Sequence, residues 1–82
     1  MADIEKEVRS LVSKIIKIPE DKIDPAANLF YDLGVDSLLG VEILAALDKK
    51  YGLNVPEDKL RSISTLNGII ALTKGLLEGK RK

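Results

Sequence analysis

The sequence predicts an all-α fold, a four-helix bundle in which the third helix is short and a long loop joins helices 1 and 2. Two observations favour it: apolar residues recur at helical spacing, and no stretch of useful length alternates apolar and polar residues as a strand does. With 82 residues, 45% hydrophobic and 32% charged, the chain is expected to form one small domain, residues 1–82. We place its core at about 3–78 and expect a flexible basic tail at 79–82.

The first helix is predicted to begin after Asp3, which is a favourable N-cap residue. Glu5 and Glu7 suit the positive end of the helix dipole. One apolar stripe follows, formed by Ile4, Val8, Leu11, Val12 and Ile15. The pattern breaks in IPEDKIDPAANL (18–29), which contains two prolines.

A long loop is predicted from this break to about Asp36. It carries apolar residues that would anchor it over the core: Ile18, Ile23, Leu29, Phe30 and Leu33. A loop of this length in a compact domain is usually functional or disordered. The apolar anchors argue against disorder.

The second helix is predicted from Ser37 to about Tyr51, with Asp36 as N-cap, Gly34 in the turn before it and Gly52 at its end. Its inner stripe would be Gly40, Ile43, Leu44, Leu47 and Tyr51. Leu38, Val41 and Ala45 lie on another side, among Asp36, Glu42 and Asp48. We expect at least Leu38 and Val41 to be exposed in a docking strip for a basic, partly apolar partner. The alternative is a helix buried on two sides.

The last third of the chain predicts two more helices. Pro56 suits the first turn of a short third helix that carries Leu60 and Ile63. Ser64 or Thr65 can cap the fourth helix, whose inner stripe would be Leu66, Ile69, Ile70 and Leu77. From the stripes of all the helices we predict four core residues: Ile15, Leu44, Leu47 and Ile70.

Composition excludes several function classes. The chain has no histidine and no cysteine, so it can form neither a Ser-His-Asp triad nor a thiolate zinc site nor a disulfide; we expect no metal. Ser37 therefore lacks its usual activating base, although a Ser-Lys arrangement stays open. No apolar run is long enough to span a membrane, and the charged start does not look like a secretory signal. We expect a cytoplasmic monomer.

The formal net charge of zero hides a strong asymmetry. Residues 20–48 hold seven acids against Lys22 as their one base, whereas residues 59–82 hold six bases against Glu78 as their one acid. This pattern suggests an acidic working face and a basic end. The terminal GKRK is short and lacks aromatic neighbours, so we do not expect nucleic-acid binding.

DLGVDSL (32–38) followed by VEILAAL (41–47) resembles the acyl carrier protein family. The resemblance covers nearly the whole chain, including PEDKIDPAANL (19–29), Glu42 and YGLNVPEDKLRSISTL (51–66). It implies that Ser37, in the triplet Asp36-Ser37-Leu38, receives 4′-phosphopantetheine from a carrier protein synthase that uses coenzyme A and magnesium. Asp36 would flank the site for synthase and metal recognition. It further implies a non-catalytic phosphoprotein whose arm carries acyl chains to ketosynthase- and acyltransferase-type enzymes of fatty-acid, lipid or polyketide-type biosynthesis.

The sequence departs from the usual pattern of the family in three places. Leu39 and Gly40 stand where fatty-acid carriers typically have an acid and a small polar residue, Lys49 and Lys50 replace acids, and the overall charge is neutral. We expect these changes on or near the surface that partners contact, in a specialised, discrete carrier. The rival interpretations are an unmodified helical interaction domain and a small hydrolase that uses Ser37.

Overall fold

Three α-helices make up most of the described part of the chain. The computed structural model describes residues 3–55, 59 and 64–81, and only the backbone of 80 and 81. The helices are α1 (Ile4–Ile16), α2 (Ser37–Tyr51) and α3 (Leu66–Arg81), with a 3₁₀ turn at Glu20–Lys22. The all-α prediction is confirmed. The predicted short third helix falls on 56–63, where only Lys59 is described, so it stays a prediction.

Local capping explains where α1 begins and ends. Asp3 Oδ1 accepts a hydrogen bond from the Lys6 N–H at 3.2 Å, which confirms the predicted N-cap. At the other end Lys17 takes a left-handed conformation, with φ of 60°, and its N–H donates to the Ser13 carbonyl at 2.9 Å. The Ser13 hydroxyl donates to the Ile18 carbonyl at 2.6 Å, which fixes the exit of the chain into the loop.

The core lies between the three helices, where α1 packs against both α2 and α3. Val8 and Val12 of α1 are fully buried, but Ile15, predicted as a core residue, is only partly buried at the margin. The loop closes over this core as predicted, with Ile23 and Leu29 buried and the other three predicted anchors partly buried against them. The other buried hydrophobic residues are Val35, Ile43, Leu44, Leu47, Leu53, Val55, Leu66, Ile69 and Ile70.

The second helix follows its predicted bounds and buries the predicted stripe, except that Tyr51 is only partly buried. The expectation that Leu39 and Gly40 lie on or near the surface that partners contact is wrong for Gly40. Gly40 is buried, and Leu39 is partly buried against the core. The reason is helical spacing: Gly40 shares the inward stripe with Leu44, and Leu39 precedes buried Ile43 by four residues.

The end of α2 is joined to the start of α1 by a small polar cluster. The Tyr51 hydroxyl donates to Glu7 Oε1 at 3.0 Å, and Lys50 Nζ lies 3.9 Å from the same oxygen. The Lys50 ammonium also lies 5.8 Å from the centre of the Tyr51 ring. Burial and, secondly, the Glu7 carboxylate raise the pKa of Tyr51 to about 12.

The third α-helix begins with a side-chain cap. Of the two predicted candidates, Thr65 provides it: its Oγ1 accepts from the Gly68 N–H at 3.0 Å. Leu66, Ile69 and Ile70 are buried as predicted, whereas Leu77 is partly buried. The backbone of 79–81, assigned to a basic tail, is helical.

Thr73 is a core residue that the apolar stripes do not reveal. It is fully buried, and its hydroxyl donates to the Ile69 carbonyl one turn earlier at 2.8 Å. None of the helices in the described part of the chain is long and apolar enough to cross a membrane.

Candidate functional site

The candidate site is the start of α2, where Ser37 is the first helical residue and is exposed. Asp36 precedes it in extended conformation and caps the helix, since its Oδ1 accepts from the Leu39 N–H at 2.8 Å. The Asp36 carbonyl also accepts the first helical bond, from the Gly40 N–H at 3.1 Å. The hydroxyl of Ser37 is therefore open to solvent on a backbone that is fixed on both sides.

A tight turn brings the chain to this position. Gly34 has φ of 70°, a left-handed conformation that side chains with a Cβ rarely adopt. A Cβ at Gly34 would meet no atom within 4 Å, so the backbone angle, and not crowding, explains the glycine. Val35 follows it into the core, and its N–H donates to the Leu29 carbonyl at 2.9 Å. The chain is thus anchored two residues before Ser37.

The loop that leads to Ser37 is also bonded to the start of α3. The Leu29 N–H donates to the Ser64 carbonyl at 2.7 Å, and the Asn67 N–H donates to the Pro25 carbonyl at 3.1 Å. Asn28 and Thr65 form an isolated antiparallel bridge between the same two segments. The position of Ser37 therefore depends on contacts with α3 that the sequence analysis did not predict.

The predicted docking strip on α2 is exposed. Leu38 has 68% of its surface exposed and Val41 has 39%, and Ala45 and Glu42 are also exposed. The expectation that Leu38 and Val41 reach solvent is confirmed. Their binding of partners stays a prediction.

Asp48, the remaining member of the predicted strip, has a structural role that sequence reasoning missed. It is half-buried, and its Oδ1 accepts from the Val55 N–H at 2.8 Å. Its carbonyl also accepts from the Gly52 N–H at 2.8 Å. Asp48 therefore closes the turn that leaves α2, and part of its carboxylate is already engaged within the fold.

Sequence reasoning also missed Tyr31, in the loop before Ser37. Tyr31 has 89% of its surface exposed, the largest value among the exposed large hydrophobic residues of the described chain. Its neighbours Phe30 and Leu33 are partly buried against the core. The signal for Tyr31 was weak because a loop has no periodicity from which to infer the direction of a side chain.

Comparisons with known proteins decide the family. Residues 6–73, most of the chain, match the family described as the phosphopantetheine attachment site. The chain belongs to this family. It is a carrier protein with the all-α fold of acyl carrier proteins.

Two solved structures illustrate the likeness. The domain HMG-ACPI from the CurA module of Lyngbya majuscula is 26% identical with a TM-score of 0.75, over 94% of this chain and 78% of that one. The apo doublet acyl carrier protein from prodigiosin biosynthesis is 22% identical with a TM-score of 0.75, over 88% of this chain. The carrier spans only 35% of the doublet, and at this identity the likeness shows the fold alone.

Members of this family carry covalently attached 4′-phosphopantetheine. The start of α2 fits such a group: the Ser37 hydroxyl is exposed, and a helix N-terminus favours the negative charge of a phosphodiester. The Asp36 carboxylate is held on the Leu39 N–H, so its own negative charge is engaged by the helix. When bound, the group supplies a thiol that carries an acyl chain as a thioester.

Proposed function

We propose that this protein is an acyl carrier whose 4′-phosphopantetheine is attached to Ser37. The observation that carries the proposal is the exposed Ser37 hydroxyl, held at the capped start of α2. Carrier domains of this family are generally non-catalytic, and we propose that this chain likewise catalyses nothing. It presents acyl intermediates to fatty-acid, lipid or polyketide-type biosynthetic enzymes.

Ser37 acts once, as the acceptor in the attachment reaction. Its oxygen forms a bond to the pantetheine-linked phosphorus of coenzyme A, and the phosphoanhydride bond breaks. The leaving group is adenosine 3′,5′-bisphosphate, and the hydroxyl proton passes to a base of the carrier protein synthase. We assign this base to the synthase, because histidine, the most common general base, is missing from this chain.

The docking strip supplies the partner surface in this proposal. Leu38, Val41 and Ala45 offer apolar contact, and Glu42 and part of Asp48 add negative charge that complements basic enzymes. Asp36 would contribute to recognition by the synthase and its metal. The partners are the synthase and ketosynthase- or acyltransferase-type enzymes, met in the cytoplasm by a monomeric carrier.

Incubation with coenzyme A, magnesium and a carrier protein synthase tests the proposal. Intact mass spectrometry should show the gain of one phosphopantetheine by the wild type and none by Ser37→Ala. Because Ser37 is exposed and makes no core contact, the variant should keep the circular dichroism and unfolding midpoint of the wild type. Modification that persists in Ser37→Ala would refute the site. A wild type that is never modified would favour an unmodified interaction domain.

The protein from its native cell provides a second measurement. Its intact mass would show both the arm and the acyl chain that it carries, and so separate fatty-acid from polyketide-type pathways. A serine-reactive phosphonate that labels wild type but not Ser37→Ala would instead support the hydrolase.

A further inference from the structure

Tyr31 is a large side chain that the fold leaves in solvent. Burial of an aromatic ring is a major source of stability in a small domain, so an exposed ring contributes little to folding. Tyr31 is 89% exposed, although the residue before it is partly buried. Its exposure therefore needs an explanation other than packing.

The backbone under Tyr31 is an ordered turn. Asn28 Oδ1 accepts from the Phe30 and Tyr31 N–H groups, both at 2.9 Å. Asp32 Oδ2 accepts in return from the Asn28 N–H at 2.8 Å, and the Asp32 N–H donates to the Asn28 carbonyl at 2.8 Å. This is the capping geometry of a single helical turn. It fixes the base of the Tyr31 side chain while the ring stays exposed.

The turn lies within reach of Ser37. Tyr31 follows Leu29 by two residues, Ser37 follows Val35 by two residues, and Leu29 and Val35 are joined by a 2.9 Å hydrogen bond. At ~3.6 Å per residue, the Cα atoms of Tyr31 and Ser37 are at most roughly 20 Å apart. A standard interface buries ~800 Å² on each partner, a patch roughly 30 Å across. Because roughly 30 Å exceeds this limit of roughly 20 Å, a single interface of standard size that includes Ser37 and extends over the loop can also include Tyr31.

The charges around this region indicate the kind of partner. Asp32, Asp36 and Glu42 are all exposed, and they accompany the exposed apolar side chains of Tyr31 and Leu38. Apolar residues among carboxylates complement an enzyme surface with an apolar pocket and a basic rim. A tyrosine also offers a large contact area at low entropic cost, because it has only two side-chain torsions.

We infer that Tyr31 is a preorganised binding anchor for the enzyme that modifies Ser37. The inference rests on the proposed function, because that enzyme must bring its active site to the Ser37 hydroxyl. Enzymes that act at the far end of the attached arm are not bound by this restriction. The Asn28–Asp32 turn is the positioning device, and Tyr31 is the contact.

Initial rates of modification by the carrier protein synthase, measured over a range of carrier concentrations, test this inference. Tyr31→Ala should lower kcat/KM about tenfold through KM, the size expected for loss of a hot-spot aromatic, and leave kcat unchanged. Tyr31→Phe should behave as wild type. Asn28→Ala should raise KM about threefold with Tyr31 still present, and Asn28→Ser, which keeps a capping oxygen, should restore it.

The matched control is Asn54→Ala, a neutral truncation of an exposed residue that follows the C-terminal end of α2, whereas Ser37 begins this helix of about 21 Å. It should leave kcat/KM unchanged. The inference is wrong if Tyr31→Ala keeps the wild-type KM, or if Asn54→Ala loses as much activity. Absence of any modification of the wild type would instead refute the proposed function, so the two failures are distinguishable.

Discussion

Asp36 combines two roles that can be separated by mutation. Its Oδ1 caps α2 through the Leu39 N–H at 2.8 Å, and its exposed negative charge stands next to Ser37. Asp36→Asn keeps an oxygen acceptor at the N-cap but removes the charge. Asp36→Ala removes both. Comparison of the two variants therefore distinguishes support of the helix from recognition by the synthase.

The expected stability changes follow from the cap. Loss of an N-cap side chain costs about 1 kcal/mol, so Asp36→Ala should lower Tm by about 4–8 °C in a domain of this size. Asn caps about as well as Asp, and Asp36→Asn loses only the interaction of an exposed charge with the helix dipole, about 0.3–1 kcal/mol. It should therefore be the more stable variant, as measured by thermal unfolding followed by circular dichroism.

The rate at which Ser37 is modified should depend mainly on the charge of Asp36 and less on its capping of α2. An exposed charge pair is worth about 0.2–1 kcal/mol, so loss of the Asp36 charge should slow modification roughly 1.4- to 5-fold at low salt. The difference should shrink at high salt, where exposed charges are screened. Asp36→Asn modified at the wild-type rate at low salt would refute the recognition role. Asp36→Ala as stable as Asp36→Asn would refute the cap.

Leu47→Ala removes a fully buried side chain and should lower the free energy of unfolding by about 2–5 kcal/mol, whereas Leu38→Ala, at an exposed position, should lower it by under about 0.5 kcal/mol. Equal urea midpoints for the two variants would show that the buried and exposed faces of α2 are misassigned. Folding raises the pKa of Tyr51 from 10.0 to about 12, so the protonated hydroxyl stabilises the folded state fully below pH 10, and this stabilisation is lost as the pH rises to 12. The unfolding free energy of the wild type should therefore fall relative to that of Tyr51→Phe between pH 10 and pH 12. A difference in unfolding free energy between the two proteins that stays constant over this range would contradict the prediction. Lys49→Glu with Lys50→Glu should increase turnover by a fatty-acid ketosynthase at low salt, and no gain would refute specialisation through these lysines.

The sequence predicted best what depends on neighbouring residues. The sequence predicted the N-cap residues Asp3 and Asp36 and the glycine that ends α2, Gly52, because capping involves residues three or four positions apart. The start of α2, and with it the exposure of Ser37, followed from these local signals. The helical stripes placed Leu47 in the core for the same reason.

Contacts between distant segments could not be predicted in this way. The bonds of the loop to the start of α3 join Leu29 to Ser64, and periodicity carries no information about such pairs. Asp48 was interpreted as a surface acid because the return of the chain at Val55 is a matter of tertiary structure. Thr73 was overlooked because a polar residue is not counted in an apolar stripe, although its hydroxyl is satisfied within the helix.

The two lysines at the end of α2 show how folding and partner choice compete for the same residues. Both lie in the last helical turn, where positive charge is favourable by about 0.3–1 kcal/mol each, so the fold alone gives a reason for them. Lys50 also lies 3.9 Å from Glu7, which offsets part of its charge, whereas Lys49 is simply exposed. Lys49 should therefore account for most of the repulsion felt by a basic partner. Lys49→Glu alone should give more than half of the gain in ketosynthase turnover of the double variant, at a smaller loss of Tm. An equal or larger gain from Lys50→Glu alone would show that the Glu7 contact does not moderate that charge.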